Sequence, residues 1–219
     1  MYPTDAAAVL DSFQSDPEGM FRQGNVIGKE SAHRYVRQFA ESSHTDAAAL
    51  ADTGTERPLD LITVIRDEAH CDGWLAYWIH PQARGRGLMT HAALTMASSE
   101  LSEGDLERLE LGHRANNPAS GAVARRAEFV HEGTQRALLI AGERHDVLIY
   151  GRLADDPTPS TKPLSWANET RPWRCGRAPF SPPERRTIGF SGRPKPNRNL
   201  GRQVGAFVIP YRDRRPETD

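Results

Sequence analysis

Apolar residues recur along this chain in two alternating periods, one helical and one of strands, up to Leu153. Ala6 to Phe13 repeats at helical spacing, with Asp5 as the expected N-cap. Glu30 to Ala40 predicts a second helix with Tyr35, Val36 and Phe39 on one face. Residues 42 to 58 are polar and turn-rich and predict no clear element. Leu59 to Ile65 is rich in Leu, Ile and Val and predicts a strand. After a turn over Asp67 to Gly73, Trp74 to His80 predicts another, closed by Pro81. Period two places Trp74, Ala76, Trp78 and His80 on one face, and Leu75, Tyr77 and Ile79 on the other.

A glycine-arginine loop, Gln82 to Gly87, leads into a predicted helix over Leu88 to Leu101 that Gly104 and Asp105 break. Leu106 to Gly112 alternates as a strand, and Asn117-Pro118 opens a further helix running to about Ala127. Phe129 to Val130, Ala137 to Ile140 and Asp146 to Tyr150 predict late strands, with Gly142-Glu143 turning between the last two. Strands and helices in this order predict an α/β (α+β) domain: a mixed, largely antiparallel sheet flanked by helices.

Composition divides the chain. Its 28 Lys+Arg and 29 Asp+Glu give a net charge of -1 over 219 residues. Up to Ala154 there are 15 basic and 22 acidic residues with 5 prolines; the remaining 65 residues hold 13 basic, 7 acidic and 11 prolines. An acidic domain over residues 1–154 and a basic tail over 155–219 are therefore expected, and the tail's composition predicts disorder. Trp166, Trp173 and Phe180 stand among Arg171, Arg174 and Arg177 in that tail. Weak contact with nucleic acid or the ribosome through the tail is one reading, and a solvated extension without function is the other. No apolar run is long enough to span a membrane. Cys71 and Cys175 make neither a disulfide framework nor a four-ligand zinc site, so no metal and a cytoplasmic setting are expected.

The segment Ile79-His80-Pro81-Gln82-Ala83-Arg84-Gly85-Arg86-Gly87-Leu88 carries the strongest chemistry. Glycines bring bare N–H groups close to an anion, and the following helix adds unpaired N–H groups and the positive end of its dipole. Arg84 and Arg86 supply donors suited to phosphate oxygens. Leu88-Met89 replaces the Lys-Ser/Thr of a nucleotide kinase loop, and Thr90 replaces the third glycine of a dinucleotide fingerprint. An exposed turn is the alternative reading of the glycines by themselves.

Gln82, Gly85 and Gly87, between the strand Tyr77-Trp78-Ile79-His80-Pro81 and a helix, resemble the Q/R-x-x-G-x-G/A motif of the GNAT superfamily of N-acetyltransferases. Asn117-Pro118-Ala119-Ser120 with Val123 and Phe129 looks like a second motif, that of the branch acetylating ribosomal-protein N-termini and its small-molecule relatives. The resemblance covers roughly residues 5 to 154. It implies the GNAT fold, with the strands of Trp74–His80 and Leu106–Gly112 splayed at an acyl-CoA site. It implies that the amides of Arg84 to Leu88 hold the pyrophosphate of acetyl-CoA, with Gln82, Ile79 and Asn117 also contacting the cofactor. Ser120 would sit near the sulfur and assist the leaving thiolate. The partners implied are acetyl-CoA and an amine acceptor, a protein N-terminus or a small molecule, with direct acyl transfer between them.

Glu110 is the candidate base, with water or the substrate's own equilibrium as alternatives. Asn117 and Ser120 read equally as a helix cap. Trp74, Tyr77 and Trp78 read either as acceptor-pocket lining or as core. Three departures from the family stand out: Glu128 occupies the place of a glycine before Phe129, the first strand looks short or missing, and 42 to 58 reads poorly as the second. The alternatives in function are a non-catalytic acyl-CoA-binding module and a protein acting on nucleic acid or the ribosome through its tail.

Overall fold

The computed structural model describes residues 3–52, 57–165 and 186–190. A 3-10 turn, Pro3–Asp5, opens into α1 (Ala6–Ser15), α2 (Pro17–Met20) and α3 (Lys29–Ala40). Strands β1 (Thr45–Asp52), β2 (Asp60–Asp67) and β3 (Asp72–Ile79) follow, then α4 (Leu88–Ser102), β4 (Arg108–Arg114) and α5 (Pro118–Arg126). The hairpin β5 (Val130–Ile140) and β6 (Glu143–Leu153) and the strand β7 (Arg186–Phe190) complete the described chain. One sheet of order β5-β6-β4-β3-β2-β1-β7 results, antiparallel except for the β3–β4 and β1–β7 pairs.

Several local expectations change. Asp5 has helical backbone angles and makes no capping hydrogen bond through its side chain, so α1 starts from the preceding turn instead. The stretch read as featureless holds β1, built of alanines that have little strand propensity of their own. Pairing overrides propensity here: Thr45 stands opposite Ile65 and Ala48 opposite Ile62, and Ala48 to Ala51 are buried. The expected strands at Phe129–Val130 and Ala137–Ile140 are one strand, β5. Register shifts at His131/Gly133 and Gln135/Leu138 absorb a sequence that does not alternate. The hairpin turns on Ala141 and Gly142, both at positive φ, one residue earlier than expected.

The two faces of β3 are buried in different cores. Leu75 and Tyr77 join Ile62, Val64, Leu109 and Leu111 beneath α4 and α5. Trp78 joins Leu61, Val9, Phe13, Tyr35 and Val36 beneath α1 and α3, and its indole N–H donates to the Tyr35 hydroxyl at 3.0 Å. Trp78 is thus a core residue, as an amphipathic aromatic with its polar end satisfied should be. In α4, Ala92, Ala93, Leu94, Met96 and Ala97 are fully buried, so the helix is enclosed on most sides.

Residues past Ala154 help to enclose it. The Leu164 N–H donates to Thr95 Oγ1 at 2.9 Å, and Leu164 packs on the α4 core. Ser160 donates to Glu128 from its N–H at 2.9 Å and its hydroxyl at 2.8 Å. Glu128 has φ 63, the left-handed conformation that costs a non-glycine residue about 1 kcal/mol. Those hydrogen bonds hold its carboxyl below the usual carboxylate range. Disorder is the expectation over 155–219; residues 155–165 and 186–190 of that range are described, the latter as β7, while 166–185 and 191–219 lie outside the described residues, as do Cys175 and the aromatic-arginine cluster. Among the described residues no helix is long and apolar enough to cross a membrane.

Two buried polar features fix the outer half of the sheet. Arg66 of β2 donates to Asp46 of β1 at 3.0 Å, to Glu100 of α4 and to the Gly104 carbonyl. An unmatched charge in such a cluster would be strongly destabilising, so the set ties two strands to the end of α4 as a unit. Asp60 of β2 is fully buried and its Oδ1 accepts the Leu50 N–H at 2.6 Å. Burial pushes its carboxyl up to about 8, against 3.8 for an ordinary Asp. The folded state therefore holds this proton where the unfolded state has lost it, and stability falls as pH rises between those two values. We predict that Asp60→Asn, which keeps the acceptor for Leu50, flattens the decline of Tm across that window. An unchanged pH profile of thermal unfolding would contradict this.

Candidate active site

β3 and β4 run parallel but pair only at Asp72↔Arg108, Gly73↔Leu109 and Trp74↔Glu110. Beyond that point β3 stays bonded to β2 as far as Ile79, and β4 to β6 as far as Arg114. The strands therefore part over their C-terminal halves. Backbone groups facing the gap lose their ladder partners there and are open to a ligand. Trp74 leans across the start of the gap: a Cβ added to Gly112 of β4 would meet the end of its indole at 3.1 Å.

The glycine loop is held from behind. His80 Nδ1 accepts the Gln82 N–H at 3.2 Å and its Nε2 donates to Asp11 of α1 at 3.1 Å. The Arg84 guanidinium donates to the Ile79 carbonyl at 3.3 Å and pairs with the buried Asp16 at 2.6 Å. Asp16 caps α2 through the Gly19 N–H at 2.9 Å. Arg84 therefore ties the loop to the α1–α2 junction, and its own N–H bonds the Pro81 carbonyl. Gln82 is exposed, Arg86 half-buried and Leu88 buried.

Gly85 and Gly87 have φ 74 and 76, and a Cβ on either would meet no protein atom within 4 Å. Glycine is required here by backbone conformation, with open space in front of it. Gly87 is the N-cap of α4 and no side chain caps that end. The first-turn N–H groups of a 15-residue helix are thus left to an external acceptor, the arrangement that suits a phosphate oxygen.

On the far side of the gap Asn117 caps α5. Its Oδ1 accepts the Ser120 N–H and its Nδ2 donates to Ser120 Oγ, both at 3.1 Å, and both residues are buried. The Tyr77 hydroxyl, from β3, points to the Ser120 carbonyl at 3.5 Å, and burial pushes it up to about 12. Tyr77 thereby spans from one parted strand to the helix after the other. Sequence alternation places it on the right face, yet only the fold brings it to Ser120. His113 lies beneath Gly121 of α5, stacked on Tyr150 at 5.4 Å, and donates from Nδ1 to the Arg114 carbonyl at 2.9 Å. Burial lowers its pKa, which keeps it neutral.

Glu110 stands at the last rung before the gap. Its carboxylate accepts from Arg108 at 3.1 and 2.8 Å, and Arg108 also binds Glu132 at 2.9 Å. These carboxylates, Glu132 first, raise the Arg108 pKa further above its ordinary value, so the network carries one fixed cation between two anions. The structure thus gathers Gly85, Gly87, Leu88, Asn117, Ser120 and Tyr77 around the gap, leaves Glu110 at its closed base, and uses Arg84 as a brace.

An open sheet parted between two parallel strands, with an uncapped helix head at one end of the parting, defines a domain shaped for an elongated anionic ligand. Comparison with known proteins narrows that class. The profile of the acetyltransferase (GNAT) domain matches residues 1–130, and the chain belongs to that family. The putative ribosomal N-acetyltransferase YdaF of Bacillus subtilis is 28% identical over 118 residues, covering 53% of this chain and 63% of that protein. The ribosomal-protein-serine acetyltransferase of Escherichia coli is 29% identical over 82 residues, covering 37% of this chain and 46% of that protein. The chain thus spans under two thirds of the length of these curated relatives. A solved structure of RimL, a ribosomal L7/L12 alpha-N-protein acetyltransferase in complex with coenzyme A, matches with TM-score 0.59 at 20% identity. The match covers 72% of this chain and 93% of that one, and supports the fold.

Proposed function

We propose that the protein transfers an acetyl group from acetyl-CoA to a primary amine. The observation that supports this best is the coincidence of an uncapped, glycine-headed α4 with the parting of β3 and β4. In this reading the N–H groups of Gly85 to Leu88 hold the pyrophosphate, with Arg86 beside them. The parted edges of β3 and β4 hold the pantetheine arm, and the Asn117–Ser120 pair lies along its far wall. Bound acetyl-CoA supplies an activated acyl group and a thiol that leaves as its bond to carbon breaks.

The chain's own residues then have three tasks. Backbone N–H groups at the gap stabilise negative charge developing on the carbonyl oxygen. Ser120, its rotamer fixed by Asn117, donates a proton toward the sulfur. The attacking amine must arrive neutral. Glu110, on the opposite face from α5 and steadied by Arg108, takes the proton that the incoming ammonium must lose, directly or through water. The ribosomal acetyltransferases among the relatives make a protein N-terminus a natural acceptor to try first, and a polyamine or amino acid the next.

Acetyl-CoA titration with and without an amine panel tests the reading: acceptor-dependent release of free thiol is expected. Binding with no release against any amine would instead assign a non-catalytic acyl-CoA-binding module. Gly87→Val is expected to weaken acetyl-CoA binding at least tenfold by calorimetry with the far-ultraviolet circular dichroism unchanged, because the strain and the new side chain both fall at the anion cradle. Ser120→Ala should lower kcat about a hundredfold with little change in acetyl-CoA affinity; equal turnover would leave Ser120 as a cap residue. Glu110→Gln should lower kcat at neutral pH and recover part of it as pH rises and the amine deprotonates by itself. A uniform loss at all pH values would remove Glu110 as the base.

A further inference from the structure

The two edges of the sheet are finished differently. β5, at one edge, shifts register at His131/Gly133 and Gln135/Leu138 and carries Ala137 at positive φ. Irregularities of this kind twist an edge away from a flat pairing partner. β1, towards the other edge, has none of these devices. It pairs with β2 in unbroken register from Thr45↔Ile65 to Ala48↔Ile62, and Thr45–Asp52 contains no lysine and no proline. Its Asp46 is held by Arg66, and Ala47, Ala48, Ala49 and Ala51 leave the backbone open to close approach.

Backbone direction along β1 is set on the β2 side. The Leu50 N–H donates to Asp60, and the Leu50 carbonyl accepts the Leu59 N–H. Alternation then turns the backbone groups of Ala49 and Ala51 outward, away from β2. β7 lies there, parallel to β1, with Ala49 opposite Thr187, Leu50 opposite Ile188 and Ala51 opposite Gly189. In a parallel ladder the residue opposite Leu50 bridges its two neighbours, so Ile188 offers its N–H to Ala49 and its carbonyl to Ala51. Thr187 and Gly189 turn theirs the other way. No strand precedes α1 among the described residues, and this outermost strand comes instead from beyond Ala154. Five residues of parallel pairing make a short ladder that a competing strand can displace.

We propose that residues 186–190 are a removable cap on the β1 edge, and that the bared edge is a self-association surface whose partner is the β1 edge of a second copy. A two-fold antiparallel pairing centred on Ala48 sets Ala47 opposite Ala49 and Asp46 opposite Leu50, so no like charges face each other. Cap and second copy compete for the same outward backbone groups, so the tail strand keeps the domain single. β2 and β3 stand between this edge and the gap, which makes the surface distinct from the proposed active site.

The test uses the full chain and reads amide hydrogen exchange together with mass by light scattering. In the parent, the Ala49 and Ala51 amides should exchange slowly and the mass should be that of one chain. Ile188→Pro deletes the N–H offered to Ala49 and should speed exchange at Ala49 and Ala51 at least tenfold in dilute solution. As concentration rises, the same variant should double in mass and recover that protection. Thr187→Pro, whose N–H faces away from β1, should behave as the parent does. Fast exchange at Ala49 and Ala51 in the parent overturns the cap, and equal effects of the two proline substitutions overturn its register. An Ile188→Pro chain that stays single at every concentration while these amides are bared overturns the self-association surface. Loss of protection that spreads to β3 and β4 overturns the proposal as well, because β7 is then part of the fold and not a cover.

Discussion

The molecule depends on one constraint: β3 and β4 must start as neighbours and end apart. Their short shared ladder closes the sheet at its base, while full-length pairing of each with its other neighbour keeps both strands rigid where they diverge. A gap of this kind is stable only if the two half-sheets are each complete. The left half draws on the Arg66 cluster and the alanine strand β1; the right half draws on the β5–β6 hairpin. The opening is therefore preformed, and a ligand entering it does not have to break a ladder to be held by backbone.

Around the gap, groups divide by face. The face under α4 and α5 offers neutral, hydrogen-bonding groups: helix amides, the Asn117–Ser120 pair and the Tyr77 hydroxyl. The opposite face offers charge, in the Glu110–Arg108–Glu132 chain. Neutral donors suit a thioester, where fixed charge would bias the ground state as much as the developing oxyanion. Charge suits the side that must sort amines and accept protons. A single-residue alternation along β4, Leu109-Glu110-Leu111-Gly112, sets the two environments back to back.

Much of this was legible in the sequence because its signals are local. The strand into Gln82–Gly87, the Gly85 and Gly87 conformations and the Asn117-Pro118 helix start all follow from residues within a few positions of each other. The left-handed backbone at Glu128 was foreseeable from the glycine it replaces, but the Ser160 hydroxyl that answers it was not. Arg84 shows the same limit: its place in the motif suggests a phosphate ligand, and only the fold reveals Asp16 waiting for it. β1 was illegible because alanines carry no period of their own; the strand exists through what β2 presents to it. Tyr77 was a candidate in the sequence, but its contact with Ser120 was not legible there, because it forms across more than forty residues.

The anchoring of Ser160 to Glu128 and of Leu164 to Thr95 has a topographic consequence. After Leu153 the chain is led over α4, and it next enters the described structure at Arg186, lying parallel to β1 on the sheet's other side. The described stretches of the tail thus sit in two places: 155–165 against Glu128 and the α4 face, and β7 at the sheet edge beyond β1. Two side chains on the body of the domain, Glu128 and Thr95, thus fix residues 160–164 to the same frame as the gap, so a strained backbone position and an enclosed helix become the anchorage of a segment remote from both in sequence.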